Sequence, residues 1–161
     1  MKGNKGITLI ALVITIIVLL ILAAVSIAML TGENSILRRG SQASAENQLG
    51  AANDAVSLYV TNLITDFYED AYVTGNNTTL GNGLNAYLNT KVPDEATLQA
   101  VLTEEKIENI KVDSVHFGSG VTSAVKDGKI EMSTSDNTYT YKSTGTVHNG
   151  KISWKIEKTT K

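Results

Sequence analysis

The chain of 161 residues has no cysteine, a single proline and no aromatic residue before Tyr59. The absence of cysteine excludes disulfides, thiolate metal sites, lipidated cysteines and cysteine nucleophiles. With 14 basic and 16 acidic residues, the formal charge is −2. This charge argues against a nucleic-acid partner, because nucleic-acid-binding surfaces need clustered lysine and arginine.

Charged residues are also missing from the segment 7–30, which follows a short basic leader, residues 1–6. A helix over this segment would be roughly 36 Å long, whereas a hydrocarbon core is about 30 Å thick. We therefore expect a single membrane span. The basic leader before the span and Glu33 after it predict a cytoplasmic N-terminus, although Arg38 and Arg39 on the far side weaken the asymmetry.

A cleavable secretory signal begins with the same two parts. Its apolar region usually has about 7–15 residues and ends at small residues, and this run is longer. Small residues do occur at Ala23, Ala24, Ser26 and Ala28. A conventional signal peptide therefore stays an alternative interpretation of the segment.

The junction between leader and span carries a specific motif. Residues 5–24 read KGITLIALVITIIVLLILAA, with Gly6 closing the leader and the apolar run starting at Ile7. This stretch resembles the signature of type IV prepilins and pseudopilins. The resemblance implies cleavage after Gly6 by a prepilin peptidase, retention of the hydrophobic helix, and N-methylation of the new N-terminal residue, Ile7.

One position departs from the family pattern. The fifth residue of the mature chain is usually a glutamate, which pairs with the N-terminal amine of a neighbouring subunit, and here it is Ala11. Two interpretations follow: a minor, initiating or tip subunit, or a divergent branch whose filaments have a wholly apolar core. We favour the second, because the apolar run resembles those of clostridia-like pilin relatives.

The resemblance further implies a structural subunit of an extracellular type IV pilus-like filament, either a helical homo-polymer or a mixed filament. Before assembly the subunit would lie in the lipid of the cytoplasmic membrane. Its other partners would be a membrane platform protein and an assembly ATPase, and no cofactor is implied. The apolar side chains expected to pack in the filament core are Leu9, Ile10, Ala11, Leu12, Val13, Ile16, Ile17 and Leu20.

Beyond the span, apolar residues recur at intervals of three and four, which predicts an amphipathic helix. A stalk helix under any membrane-anchored domain would show the same pattern, so the stripe alone does not discriminate. The stripe consists of Leu49, Ala52, Val56, Tyr59, Val60, Leu63 and Phe67. The opposite face holds Glu46, Asn47, Asn53, Asp54, Ser57 and Asn62.

Turn signals divide the remainder of the chain. Gly32 can end or kink the helix, and Asn34 can cap a new turn. We expect a kink more than a true break, because the helical periodicity resumes beyond this point. The glycine- and asparagine-rich tract 74–83 predicts a loop. A short helical turn over Leu84 to Leu88 and a helix from about Pro93 to Lys106 should follow.

After this helix, apolar residues alternate with polar ones, a period of two that is typical of strands. This pattern predicts an antiparallel meander of about four strands packed on the amphipathic helix. The predicted turns are Asp127-Gly128, Asp136-Asn137 and Asn149-Gly150. The predicted strands are Val121 to Lys126, Lys129 to Ser133, Thr138 to Val147 and Lys151 to Glu157, with Val112 to Phe117 as an additional candidate.

We therefore expect an α+β, pilin-like fold in which a long N-terminal helix packs against the meander. Its segments are the leader (1–6), the transmembrane and filament-core helix (7–30), the amphipathic half of the long helix (31–67), a variable loop with a short helix (68–111) and the antiparallel sheet (112–161).

Candidate chemical sites are few. His116 and His148 read as exposed sheet or turn residues, and Gly118-Ser119-Gly120 reads as a plain turn. A calcium site is a weak candidate because it lacks EF-hand spacing, and a solvated helix end is the simpler interpretation. Its ligands would be Asp66, Glu69 and Asp70.

An enzyme is the weakest class, so we predict a protein without catalytic activity. The rival to the filament subunit is a membrane-anchored cell-surface binding domain with an uncleaved signal anchor. Gly6 discriminates the two, because only the filament subunit needs it for maturation.

Overall fold

The computed structural model of the chain describes residues 5–32, 35–73, 83–119, 127–136, 138–148 and 150–161, except for the side chains of residues 5–8 and 73. The chain divides into two units, Met1–Ala43 and Ser44–Lys161. The predicted α+β class is confirmed, because a long N-terminal helix is followed by a four-stranded antiparallel sheet.

The long N-terminal helix has two α-helical segments, α1 (Lys5–Thr31) and α2 (Ile36–Tyr68), and α2 ends in a π-helical turn, Glu69–Val73. Gly32 lies in this interruption. A kink was predicted more than a break, but α1 ends at Thr31 and α2 begins at Ile36. A Cβ atom at Gly32 would lie 2.8 Å from the carbonyl oxygen of Ala28, so only glycine fits this backbone without a shift.

A serine starts α2. The Oγ atom of the buried Ser35 accepts a 3.3 Å hydrogen bond from the backbone N–H of Arg38, which satisfies one of the free donors of the first turn. The residue predicted to cap this turn, Asn34, lies outside the described residues.

Two shorter helices follow, α3 (Leu84–Lys91) and α4 (Glu95–Glu104). The predicted range of α4 was too long at both ends. Asp94 is the N-cap, because its Oδ1 atom accepts from the backbone N–H of Thr97 at 3.0 Å. At the other end Lys106 has a φ of 58°, and the N–H of Ile107 donates to Leu102 at 2.9 Å, a Schellman ending.

The sheet contains β1 (Lys111–His116), β2 (Gly128–Ser135), β3 (Tyr139–His148) and β4 (Lys151–Thr160), in that order and antiparallel throughout. The additional candidate strand, Val112 to Phe117, is therefore β1. The predicted strand Val121 to Lys126 lies outside the described residues, but its predicted pairing with Lys129 to Ser133 is wrong. Both edges of that second stretch already pair with β1 and β3.

The other two turns are where the sequence places them. Between β2 and β3, the Oδ1 atom of Asp136 accepts from the backbone N–H groups of Thr138 and Tyr139 at 2.8 and 2.7 Å. Between β3 and β4, Gly150 has a φ of 78°, which glycine adopts without strain. Asn137 and Asn149, the partners of these residues in the predicted turns, lie outside the described residues.

The core of the unit Ser44–Lys161 lies between one face of the sheet and helices α2, α3 and α4. The predicted helical stripe is confirmed: Tyr59 and Leu63 are partly buried, and its other members are buried. The buried core residues outside α2 are Leu88, Val92, Leu98, Leu102, Ile110, Val112, Phe117, Ile130, Met132, Tyr141 and Val147.

Candidate functional site

Most of the exposed large hydrophobic side chains among the described residues lie on α1. Every residue from Leu9 to Thr31 is exposed within the chain. Of the described helices, this N-terminal one is long and apolar enough to cross a membrane. It is therefore compatible with a membrane anchor.

The described hydroxyl groups of α1, those of Thr15, Ser26 and Thr31, form hydrogen bonds within the helix itself. Thr15 donates to the carbonyl oxygen of Leu12 at 2.8 Å. The hydroxyl of Ser26 donates to the carbonyl oxygen of Leu22, and the hydroxyl of Thr31 donates to the carbonyl oxygen of Ile27, both at 2.8 Å. In these two bonds the acceptor lies one helical turn before the donor. Because an unsatisfied polar group in hydrocarbon costs several kcal/mol, these local bonds suit the helix to a surrounding of lipid or of other apolar helices.

The residues predicted to pack in a filament core all lie on this exposed surface. Their large side chains are between 46% exposed, at Val13, and 65% exposed, at Leu9 and Leu20. Gly6 and Ile7 belong to the first turn of α1, and the side chain of Ile7 lies outside the described part of the chain. No protein-family model matches this chain, and no curated protein and no solved structure is significantly similar to it.

Two polar contacts that the sequence did not predict join α2 to the sheet. Asn53 was assigned to the polar face of the helix, but it is buried, and its Oδ1 atom accepts a 2.7 Å hydrogen bond from the hydroxyl of Ser143. One turn further along, Ser57 accepts a 2.8 Å hydrogen bond from the indole N–H of Trp154. The burial of Asn53 could have been predicted from the sequence, because Asn53 lies four residues after Leu49 and therefore on the same side of the helix.

The ring of Trp154 lies against the backbone of β3. A Cβ atom on Gly145, the residue opposite Trp154 in the sheet, would be 2.7 Å from Cζ3 of the indole ring. Glycine at this position therefore gives the ring the space in which it reaches Ser57.

The outer face of the sheet carries a small ionic network. Glu131 contacts the ammonium groups of Lys129 and Lys142 at 2.7 and 2.8 Å, and the hydroxyl of Ser114 donates to its other oxygen at 3.0 Å. Hydrogen bonds to Glu131, the largest effect from Lys129 and the next from Lys142, lower the pKa of Glu131 from 4.5 to about 2. This network stabilises strand pairing and has no arrangement that points to a reaction.

The two histidines are exposed, as expected, but one has an acidic partner that the sequence did not predict. Nδ1 of His148 lies 2.5 Å from Oδ1 of Asp127, which the fold brings to the end of β3. Nδ1 of His116 accepts from the backbone N–H of Gly118 at 3.0 Å.

The calcium candidates are not assembled into a site. Among the described residues, no group of three or more histidine or acidic side chains is placed to hold a metal ion. Asp66 and Asp70 instead lie near Tyr87, whose pKa is raised by burial and then by these two carboxylates. Glu69 is exposed in the π-helical turn.

Proposed function

We propose that this protein is a structural subunit, pilin-like or pseudopilin-like, of an extracellular type IV pilus-like filament. The observation that carries the proposal is the surface of α1, which is apolar on every side and exposed from Leu9 to Thr31. The unit Ser44–Lys161 has a core of its own, so it does not need α1 to cover that core. A helix of this kind is available to lipid before assembly and to copies of itself afterwards.

The sequence at the start of α1 supports the processing step. KGITLI over residues 5–10 resembles the prepilin junction, so a prepilin peptidase would cleave after Gly6 on the cytoplasmic side. Ile7 would then be the N-terminal residue and the site of N-methylation. A membrane platform protein and an assembly ATPase would supply the work of extraction from the membrane.

Apolar burial would hold the filament together. Packing α1 helices in a dry bundle gains about 25 cal/mol for each Å² of apolar surface that would otherwise meet water once the helix has left the membrane. Ala11 supplies no carboxylate to pair with the amine of Ile7, so the register between subunits would depend on the shapes of the packed side chains.

The test is a pair of glycine substitutions in the leader. Gly6→Ala should leave the chain at full length in the membrane and abolish filaments, whereas the matched Gly3→Ala should be processed and assembled like the wild type. Immunoblots of membranes and electron microscopy of surface fibres give the two readouts. Normal maturation of Gly6→Ala would overturn the proposal, and surface display of a full-length wild-type chain without fibres would favour the anchored binding domain.

A further inference from the structure

The two edges of the sheet differ in what covers them. At β1, the side-chain amide of Gln99 in α4 bonds the strand edge as a neighbouring peptide group would. Its Nε2 atom donates to the carbonyl oxygen of Ile110 at 2.9 Å, and its Oε1 atom accepts from the N–H of Val112 at 3.0 Å. The start of this edge is therefore covered by α4.

The other edge is β4, which pairs with β3 on one side and is the last strand in the order of the described sheet. It is ten residues long, and every residue from Lys155 to Thr160 is exposed. Ile156 is 40% exposed, although Ser143, the residue opposite it in β3, is buried. Long exposed edge strands pair readily with other strands.

The charges of β4 select one way for the strand to pair with a second copy. In an antiparallel pair related by a two-fold axis perpendicular to the sheet, one residue lies opposite itself. Centring the pair on Lys155 or on Glu157 would set like charges opposite each other. Centring it on Ile156 sets Lys155 opposite Glu157 of the other copy, in both directions.

Among the registers that avoid like charges, this one pairs the most residues. Centred on Ile156, the paired stretch covers residues 152–160, which is nearly all of β4. A register centred on Trp154 also avoids like charges, but it pairs only residues 151–157, because β4 begins at Lys151. The Ile156 register also sets the two partly exposed isoleucine side chains against each other.

We propose that two copies of this chain associate edge to edge through β4, antiparallel, with Ile156 opposite Ile156 and Lys155 opposite Glu157. The two sheets become one continuous sheet. This inference goes beyond the filament assembly proposed above and does not depend on it, since it uses only residues of the unit Ser44–Lys161.

Disulfide trapping tests the register directly, because the chain has no cysteine of its own. Directly opposite residues have Cα atoms about 4.5–5.5 Å apart, within the range that a disulfide spans. Ile156→Cys in the full-length chain in detergent micelles should therefore form a disulfide dimer on mild oxidation. Thr159→Cys should not, because the two Thr159 positions are about 20 Å apart in this register.

A mixture of two variants supplies the complementary result. Ser153→Cys and Thr159→Cys should each remain monomeric alone but form a mixed dimer together, because these positions lie opposite each other. Equal trapping of Ile156→Cys and Thr159→Cys, or no trapping of the mixed pair, would overturn the proposal, since contact through α1 or random collision would not distinguish the positions.

Charge exchange tests the ionic pairs in the Ile156→Cys background. Lys155→Glu should weaken dimerisation about tenfold, because both cross-strand pairs become repulsive. Adding Glu157→Lys should restore it. Unchanged trapping in Lys155→Glu, or failure of the double exchange to restore it in a chain that melts like the wild type, would contradict the register.

Discussion

The hydroxyl of Ser143 in β3 donates a 2.7 Å hydrogen bond to Asn53 in α2, and both residues are buried. The neighbouring bond from Trp154 to Ser57 links β4 to the same helix. Apolar packing tolerates small shifts of a helix over a sheet, whereas a buried hydrogen bond requires specific partners. These two contacts therefore fix where the sheet lies along α2.

Removing the acceptor of the buried pair should destabilise the domain. Asn53→Ala leaves the hydroxyl of Ser143 buried without its partner, and we expect a loss of about 1–3 kcal/mol in the free energy of unfolding. Urea unfolding in detergent micelles, followed by the fluorescence of Trp154, measures it. Asn62→Ala, on the exposed side of α2, is the matched control and should change the free energy by less than about 0.5 kcal/mol. Equal effects of the two substitutions would contradict the assigned role of Asn53.

Two glycines should respond in opposite ways to substitution by alanine, because the indole ring of Trp154 lies beside Gly145 and nothing lies beside Gly50. Gly145→Ala should destabilise the domain by about 1–3 kcal/mol and shift the fluorescence of Trp154, because its Cβ would force the ring away from Ser57. Gly50→Ala should stabilise α2 by about 0.5–1 kcal/mol, since nothing lies within 4 Å of its added Cβ. The same unfolding measurement serves both, and a tolerated alanine at position 145 would show that the ring contact is unimportant.

The network around Glu131 predicts a loss of stability in acid. Its folded pKa is about 2 and its reference pKa is 4.5, so its contribution is present above pH 4.5 and is lost as the pH falls towards 2. The stability difference between the wild type and Glu131→Gln should therefore shrink over this range. Glu108→Gln is the control, because Glu108 is exposed, and we expect it to change the free energy of unfolding by less than about 0.5 kcal/mol over the same range. A pH-independent difference for Glu131→Gln would contradict the assigned pKa shift.

The helical part of the fold was predictable because its signals are local. The run 7–30 is uncharged over a length that crosses a membrane, and the stripe from Leu49 to Phe67 repeats at the period of a helix. Both lie in helices of nearly the predicted extent. The ends of α4 were missed, because the capping role of Asp94 and the left-handed Lys106 depend on single residues.

The sheet and the polar contacts were less predictable because they depend on distant partners. The sequence placed a hairpin at Asp127-Gly128, but Gly128 pairs with Val147 of β3, and β1 occupies the other edge of β2. Asn53 was predicted to lie on the polar face of the helix, because its hydrogen-bond partner, Ser143, is 90 residues away in the sequence. The turn propensity of two adjacent residues does not predict contacts between residues that are far apart in the sequence.

In the proposed filament, the chain is processed after Gly6 and then assembled through α1. Intact-mass spectrometry of the subunit from isolated cell-surface fibres tests this proposal most directly. We predict a single mass for a chain that begins at Ile7 and carries one added methyl group. A subunit that retains Met1 to Gly6 within assembled fibres would contradict the proposal.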